Sequence, residues 1–336
     1  MGFKRLDADD FVVSADAVQS TAWSTNSPTL TEFYTNSTQL AGSSGAYYTS
    51  VYQTTSTAAG ATVQFDIAYG NVLGSGSAYF DSLYPNLTPS STTYGQYRTM
   101  ILEDENTNFS FGDGANLLTP NDFWVISPDR ARYKESIFPG SFNITLQVGS
   151  NSVQLTDNSK DVTVPTFLGS TRAYQIVSGS NGSAIASGGY VANSGSYGLL
   201  LPDIGTILLN PDALSETIGL TPTRTANTTN GTNQTQLFNA ISLGASFTMN
   251  SQETITSDYV FCRARNSEFN YSTNPSFITG STGQVAYQSF INNPQVYMTT
   301  IGMYNDANEC IAVAKLSRPL LKDFTKESLV RVKLDF

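Results

Sequence analysis

Residues 296–336 read VYMTTIGMYNDANECIAVAKLSRPLLKDFTKESLVRVKLDF. Two β-prone runs, Val296–Tyr304 and Cys310–Leu316, flank Asn305-Asp306-Ala307-Asn308. Short polar side chains of this kind bond their own backbone and tolerate turn geometry, so a hairpin is expected. A charged loop, Lys322 to Glu327, follows Arg318-Pro319. The sequence then closes on strict alternation: Val330, Val332, Leu334 and Phe336 point one way, Arg331, Lys333 and Asp335 the other. That period places a last strand in a sheet, with Phe336 facing its core.

Working back from this hairpin-plus-strand, the same grammar recurs. Thr62–Tyr69 alternates Val63, Phe65, Ile67 and Tyr69 against polar residues, and Ser141–Val148 does so with Phe142, Ile144, Leu146 and Val148. Arg98–Leu102, Asn108–Phe111, Phe123–Ser127, Val153–Leu155, Val162–Phe167, Ala173–Val177 and Asp258–Arg265 read as further short strands. One short helix is well signalled. Asn210 caps it, Pro211 opens it, Asp212 and Glu216 carry negative charge and Gly219 stops it. A second is suggested at Gln236–Ser242. The expected class is therefore mainly β, sandwich-like, with short helices and long loops. The expected organisation is an N-terminal arm (1–60), a β domain (61–220), a polar linker TPTRTANTTNGTNQTQ (221–236) and a C-terminal β module (237–336). No fixed-period repeat argues for a solenoid or propeller.

Composition narrows the function. Charged residues make up 13% of the 336, and the net charge is −10, so the deficit is mostly of Lys and Arg. No overall basic field exists to hold nucleic acid or an anionic membrane. Ser, Thr, Asn, Gln, Gly and Tyr must cover the surface, a palette suited to turn-rich β subunits of large assemblies. The opening MGFKRLDADDF lacks the apolar stretch of a signal peptide, and no apolar run approaches a membrane span. Synthesis and assembly in a cytoplasm are the expectation. Cys262 and Cys310 sit singly in apolar β-like runs and read as buried free thiols, not a disulfide framework.

There is no histidine, which removes Ser-His-Asp and Cys-His arrangements and the usual zinc sites. Glu103-Asp104-Glu105 could supply a glycosidase pair in principle, but three adjacent acids on a loop are more often a solvated surface. Asp104-x-Asn106-x-Asn108 opens like a calcium loop, yet carries Phe109 and Ala115 where Gly and Glu are required. Neither a dinucleotide fingerprint nor a P-loop is present. The reading is a protein without enzymatic activity, cofactor or metal. Two basic dyads remain, Arg130-Ala-Arg132-Tyr-Lys134 and Arg263-Ala-Arg265. If extended, each puts two guanidinium groups on one strand face. They read as docking patches for another protein, or alternatively as partners of nearby acids such as Asp129, Glu135 or Glu268. Lys315, Arg318, Lys322, Lys326, Arg331 and Lys333 add a local positive zone near the C-terminus. Interface candidates are therefore Arg130, Arg132, Lys134, Arg263, Arg265, Lys322 and Lys326.

The segments TTIGMYNDANECIAVAKLSRP and VRVKLDF, with RARNSEFNYSTNPSF (Arg263–Phe277) and RYKESIFPGSFNITL (Arg132–Leu146), resemble virion proteins of contractile-tailed bacteriophages. The role they most resemble is the baseplate wedge protein of T-even-like phages and their marine relatives. The resemblance is carried by 260–336 and, more lightly, by 130–148. It implies a mostly β structural subunit located in the virion tail baseplate, dimeric, docked to other tail and baseplate proteins, and catalysing nothing. It implies no nucleic-acid or membrane partner. The alternative reading is a head decoration, neck or fibre protein displayed on the virion, with Tyr79–Tyr97 stacking on glycans. A carboxylate glycosidase is the third.

Overall fold

The computed structural model describes residues 3–36, 48–77, 83–84, 87–185, 189–225, 232–272, 274–279 and 282–335. Phe336, residues 226–231 of the 221–236 stretch and residues 79–82 and 85–86 of Tyr79–Tyr97 lie outside the described residues. The protein is mainly β. Its strands are β1 (Phe11–Thr21), β2 (Thr29–Leu30), β3 (Tyr34–Thr35), β4 (Tyr48–Tyr52), β5 (Val63–Asn71), β6 (Asp122–Pro128), β7 (Ser136–Ile137), β8 (Asn143–Val148), β9 (Asn151–Asp157), β10 (Thr166–Leu168) and β11 (Thr171–Ser180). They continue with β12 (Ser183–Ala184), β13 (Gly198–Leu201), β14 (Thr206–Leu209), β15 (Phe247–Thr248), β16 (Asn250–Ala264), β17 (Ile278–Thr279), β18 (Gln284–Val285), β19 (Gln295–Tyr304), β20 (Cys310–Asp323) and β21 (Ser328–Asp335). The helices are α1 (Pro89–Leu102), α2 (Pro211–Ile218), α3 (Thr232–Gly244) and α4 (Gln288–Asn292). The chain divides into two compact units: a core unit, Val18–Glu253, and a terminal unit made of Met1–Ala17 and Thr254–Phe336.

The core unit is built on one curled antiparallel sheet in the order β2-β15-β8-β9-β11-β13-β14-β6-β5-β4-β3, with β10 and β12 pairing β11. Alternation along the central strands feeds two separate cores. Trp124 and Ile126 of β6, Leu200 of β13, and Ile207 and Leu209 of β14 join Phe65, Ile67 and Tyr69 on one face, where α2 and α3 contribute Leu214, Ile218, Leu237 and Ile241. Phe123, Val125, Leu199, Leu201 and Leu208 point the other way, onto Tyr94 and Ile101 of α1. Strands covered on both faces need no polar side, which is why GLLL and TILL read as unbroken apolar runs. Period-2 reading passed over both. Where only one face carries large apolar side chains, the reading held. Phe65, Ile67 and Tyr69 of β5, and Ile144 and Leu146 of β8, are core residues as alternation requires.

The best-signalled helix forms as expected. The Asn210 side chain accepts from the Asp212 N–H at 3.1 Å, and Gly219 closes α2 with φ +75°. The second helix is longer than expected, since α3 begins at Thr232, so residues 232–236 are helical rather than linker. Its end packs closely on the sheet: a Cβ at Gly244 would overlap the Thr145 carbonyl. Arg98–Leu102 is not a strand but the last turn of α1. Ser, Thr, Gly and Tyr dominate that helix and give it little intrinsic preference. Burial of Tyr94 and Ile101 stabilises it instead. Asn108–Phe111 makes one isolated bridge, Phe111 to Leu118, and of the 162–167 run only Thr166 and Phe167 are in a strand, β10. Within 1–60, Trp23 and Phe33 belong to the core of the sheet, with the Trp23 ring 4.9 Å from that of Phe247.

The terminal unit is a small two-layer β structure. One layer is the sheet order β1-β16-β21, where β16 and β21 pair from Ser257–Asp335 to Ala264–Ser328. The other is the hairpin β19–β20, joined through Asn305–Glu309, with Asn308 in left-handed backbone at φ +63°. The Asn305 side chain closes the turn, its Oδ1 accepting from the Glu309 N–H at 2.8 Å. Between the layers Val260, Met303 and Val332 are buried, with Cys262, Ile301, Ala312, Ala314 and Leu334 packed against them. The alternation read at 330–335 is present: Val332 is buried and Val330 and Leu334 half-buried, while Arg331, Lys333 and Asp335 are exposed.

Candidate interaction surfaces

The basic residues singled out in the sequence fall in both units and in unlike surroundings. Arg130–Arg132 is a 3-10 turn, not a strand, because the Asp129 carboxylate accepts from the Ala131 N–H at 2.8 Å and starts it. The two guanidinium groups therefore do not share a strand face. Arg130 turns back on its own segment, donating to the Tyr133 carbonyl at 2.7 Å and to that of Lys134, with its guanidinium 4.6 Å from the Tyr133 ring centre. Arg132 is half-buried and its Nε has no hydrogen-bond partner. Lys134 is exposed and pairs with Glu253.

In the terminal unit, Arg263 lies on β16 and meets Glu327 at 3.4 Å, while Arg265 lies beyond the end of that strand. Their expected shared face is thus interrupted. Lys326 is an exposed turn residue 3.7 Å from Asp323. Lys322 is the clear correction: at 0% exposure it cannot meet a partner. Its ammonium donates to the carbonyls of Asn266 (3.1 Å) and Asp323 (2.8 Å) and to Asn270 Oδ1 (2.8 Å). Burial holds its pKa below the ordinary lysine value. It sits at the end of β20, where alternation turned an apparently surface-facing cation inward. Arg331 and Lys333 lie over the Tyr259 ring at 5.3 and 5.9 Å, and Lys333 pairs with Asp335 at 2.8 Å. Lys315 and Arg318 make no ion pair among the described residues.

The acids of 103–105 act locally. Glu103 ends α1 in left-handed backbone and accepts from the Ser170 N–H at 3.0 Å; the Ser170 hydroxyl and then this N–H hold its carboxyl below the usual range. Asp104 accepts from the Thr107 hydroxyl and from the Asn106 N–H at 2.9 Å, with the same effect. Tyr94 and Tyr97 of the expected glycan-stacking stretch lie in α1 and face the core, so they offer no platform. Among the described residues no group of three or more Asp, Glu, Cys or His is placed to hold a metal ion. No helix among them is long and apolar enough to cross a membrane. Cys262 is half-buried, but Cys310 is exposed rather than buried.

Two features escaped the sequence reading. The first is a clamp in the core unit. Asp122, nearly inaccessible on β6, receives Arg224 Nε at 2.8 Å and Nη2 at 3.0 Å, and the Tyr69 hydroxyl at 2.6 Å; Arg224 also reaches Asp212 of α2 at 2.6 Å. Its bonds to Asp122 raise the Arg224 pKa, and burial raises that of Tyr69. The lone cation of TPTRT was the available signal. The second is the outward face of the hairpin. Ile311 and Val313 are 67% and 64% exposed; Tyr304, paired with Cys310 at the turn end of the hairpin, and Tyr297, opposite Leu321 at its other end, are exposed as well. Among the described residues β19 and β20 pair only with each other, which leaves their outer edges unpaired. Phe11, Val12 and Val13 of β1 are exposed as well. From Phe269 to Asn305 the sequence contains no Asp, Glu, Lys or Arg. An uncharged, aromatic-rich surface with open strand edges is the chemistry of an interface centre, where charge is depleted and backbone pairing is available.

Searches against known proteins return no match: no family model, no curated protein and no solved structure corresponds to the chain.

Proposed function

We propose that the chain is a non-enzymatic structural subunit of a contractile-tailed phage virion, with the tail baseplate wedge as its particular place. One observation carries the reading: the terminal unit presents a hairpin whose outer face is apolar and whose edges are unpaired. Apolar strand edges left open this way template association. The chain blunts the edge only partly, with Pro319 in β20 and irregular pairing at Met298–Thr300 and Met303–Tyr304. In this reading Ile311, Val313 and Tyr304 bury area against a neighbouring tail protein or a second copy, and Lys315 and Arg318 set register. Of the segments that resemble wedge proteins, those within 260–336 lie in this unit, and Arg132–Leu146 lies in the core unit.

The test is co-sedimentation of the purified chain with detached tail components, alongside its own oligomeric state by analytical ultracentrifugation. Association lost in the double variant Ile311→Lys/Val313→Lys, with unchanged thermal unfolding, is the expected result. A monomer that binds no tail or head component would sink the reading.

A further inference from the structure

Residues at the start of the chain and in 267–294 of the terminal unit enclose an open cleft of about 820 Å³. Its volume lies within the roughly 300–1,000 Å³ of small-ligand sites, and it is a shallow depression broadly open to solvent. Four aromatic rings line it, those of Phe3, Phe269, Tyr271 and Phe290. Two are propped from behind: Phe290 by Phe277 at 5.2 Å, and Phe3 by Tyr304 at 5.2 Å with the rings edge to face. Phe269 has φ +55°, a left-handed backbone that aromatic residues adopt only when the surroundings impose it. Here the surroundings are explicit. The buried Lys322 ammonium binds the Asn266 carbonyl on one side of Phe269 and Asn270 Oδ1 on the other, and Asn270 Nδ2 donates back to Asn266 at 2.6 Å. A strained ring held rigidly in a cleft wall is preorganised for a ligand.

The polar groups of the cleft fix the ligand's charge. Lys4 is neutralised by Glu268 at 3.1 Å and also donates to the Arg263 carbonyl at 2.7 Å. Asn270 is held through both Oδ1 and Nδ2 by the contacts above. Arg5 lines the cleft, is exposed, and makes no ion pair or hydrogen bond among the described residues. The site therefore offers aromatic faces and one free planar guanidinium on an otherwise acidic protein.

We propose that this cleft binds an acidic saccharide, with Tyr271 and Phe290 stacking on the C–H faces of sugar rings and Arg5 receiving the carboxylate. Sugar rings suit the lining because they present apolar faces and hydrogen-bonding edges together. A guanidinium takes a carboxylate in bidentate geometry. Lys322 is a positioning residue, acting through the 266–270 loop.

The proposal does not depend on the assembly role, and its test does not use it. Calorimetric titration of the full chain with uronate- and sialate-bearing oligosaccharides, and with neutral analogues of equal length, reads the preference. Acidic members should bind at least about tenfold more tightly than neutral ones. Tyr271→Ala should abolish binding, and Arg5→Gln should reduce acidic ligands to the neutral level. Val313→Thr on the hairpin should change nothing. Both cleft residues are exposed, so their variants should unfold at the parental temperature. Absence of heat from every saccharide, equal binding of acidic and neutral members, or binding that both variants leave intact would each overturn the site. So would an acidic aromatic peptide that binds more tightly than any saccharide and loses affinity in the same variants.

Discussion

The core unit and the terminal unit spend their apolar residues in opposite ways. Between Val18 and Glu253 a single sheet is sealed on both faces, and Trp23, Trp124, Phe65, Phe123 and Phe247 have almost no exposed surface. In the terminal unit the buried apolar residues, among those described, are Val260, Ala264, Met303 and Val332. Leu6, Ile301 and Leu334 pack against them, while Tyr271, Tyr287, Ile291, Tyr297, Ile311 and Val313 are exposed. At roughly 25 cal/mol per Å² of apolar surface removed from water, the first arrangement stabilises its fold far more than the second. The lesson is that one chain can carry a body sealed on both faces of its sheet and a module that leaves many of its large apolar side chains in water.

The largest expected effect breaks the sealed side. Phe65 lies 5.3 Å from Phe247 and 6.1 Å from Trp23, ring centre to ring centre. Phe65→Ala should lower stability by about 3–5 kcal/mol, followed by denaturant titration of tryptophan fluorescence. Both tryptophans lie in the core unit, so that signal reports on it alone. A loss under about 1 kcal/mol would mean that the sheet interior is not the source of stability. Next comes the clamp. Asp122→Asn keeps the shape but leaves Arg224 without its bidentate acceptor, and should cost about 2 kcal/mol by the same assay.

Acid should separate the two regions. In the terminal unit Glu268 is held low by the Arg265 N–H and then Lys4, Asp323 by the Thr325 hydroxyl, and Asp335 by Lys333 and then Ser257. Such groups stabilise fully above their unfolded pKa, and that contribution is lost as pH falls through the lowered folded value. In the core unit Glu103 and Asp104 on the surface are held low too, but burial raises Asp66 and Asp157, although Asp157 accepts N–H bonds from Gly140 and Ser159. Raised groups act with the opposite sign: their protonation favours the folded state as pH drops through the raised value. Below the ordinary carboxylate value near 4.5, terminal-unit peptides should lose hydrogen-exchange protection first, after correction for intrinsic exchange. Core-unit peptides opening first would reverse the comparison. The smallest effect belongs to the open face. Ile311→Lys/Val313→Lys should change unfolding free energy by no more than about 0.5 kcal/mol, because neither side chain is buried. A larger loss would show that the hairpin's outer face is already in use within the chain.

Sequence reading succeeded where local chemistry was sufficient. The turn at Asn305–Glu309, the caps of α2 and the alternation of β5, β8 and β21 each rest on a few neighbouring residues. It failed where distant chain decided the outcome. α1 is helical because the sheet accepts Tyr94 and Ile101, and β13 and β14 are strands because both their faces are covered. Arg130 is bound to its own turn, Lys322 is buried, and the exposed apolar hairpin face went unread because alternation does not say which of two faces will be covered.

What the sequence determined alone was a mainly β chain, poor in charge and closing on a hairpin and a strand, since period, turn chemistry and composition are local properties. Which faces are sealed, which lysine is buried, and where the aromatic cleft with its free Arg5 lies were decided only by tertiary structure. Burial depends on what the rest of the chain places opposite a residue, and no window of neighbouring residues contains that information.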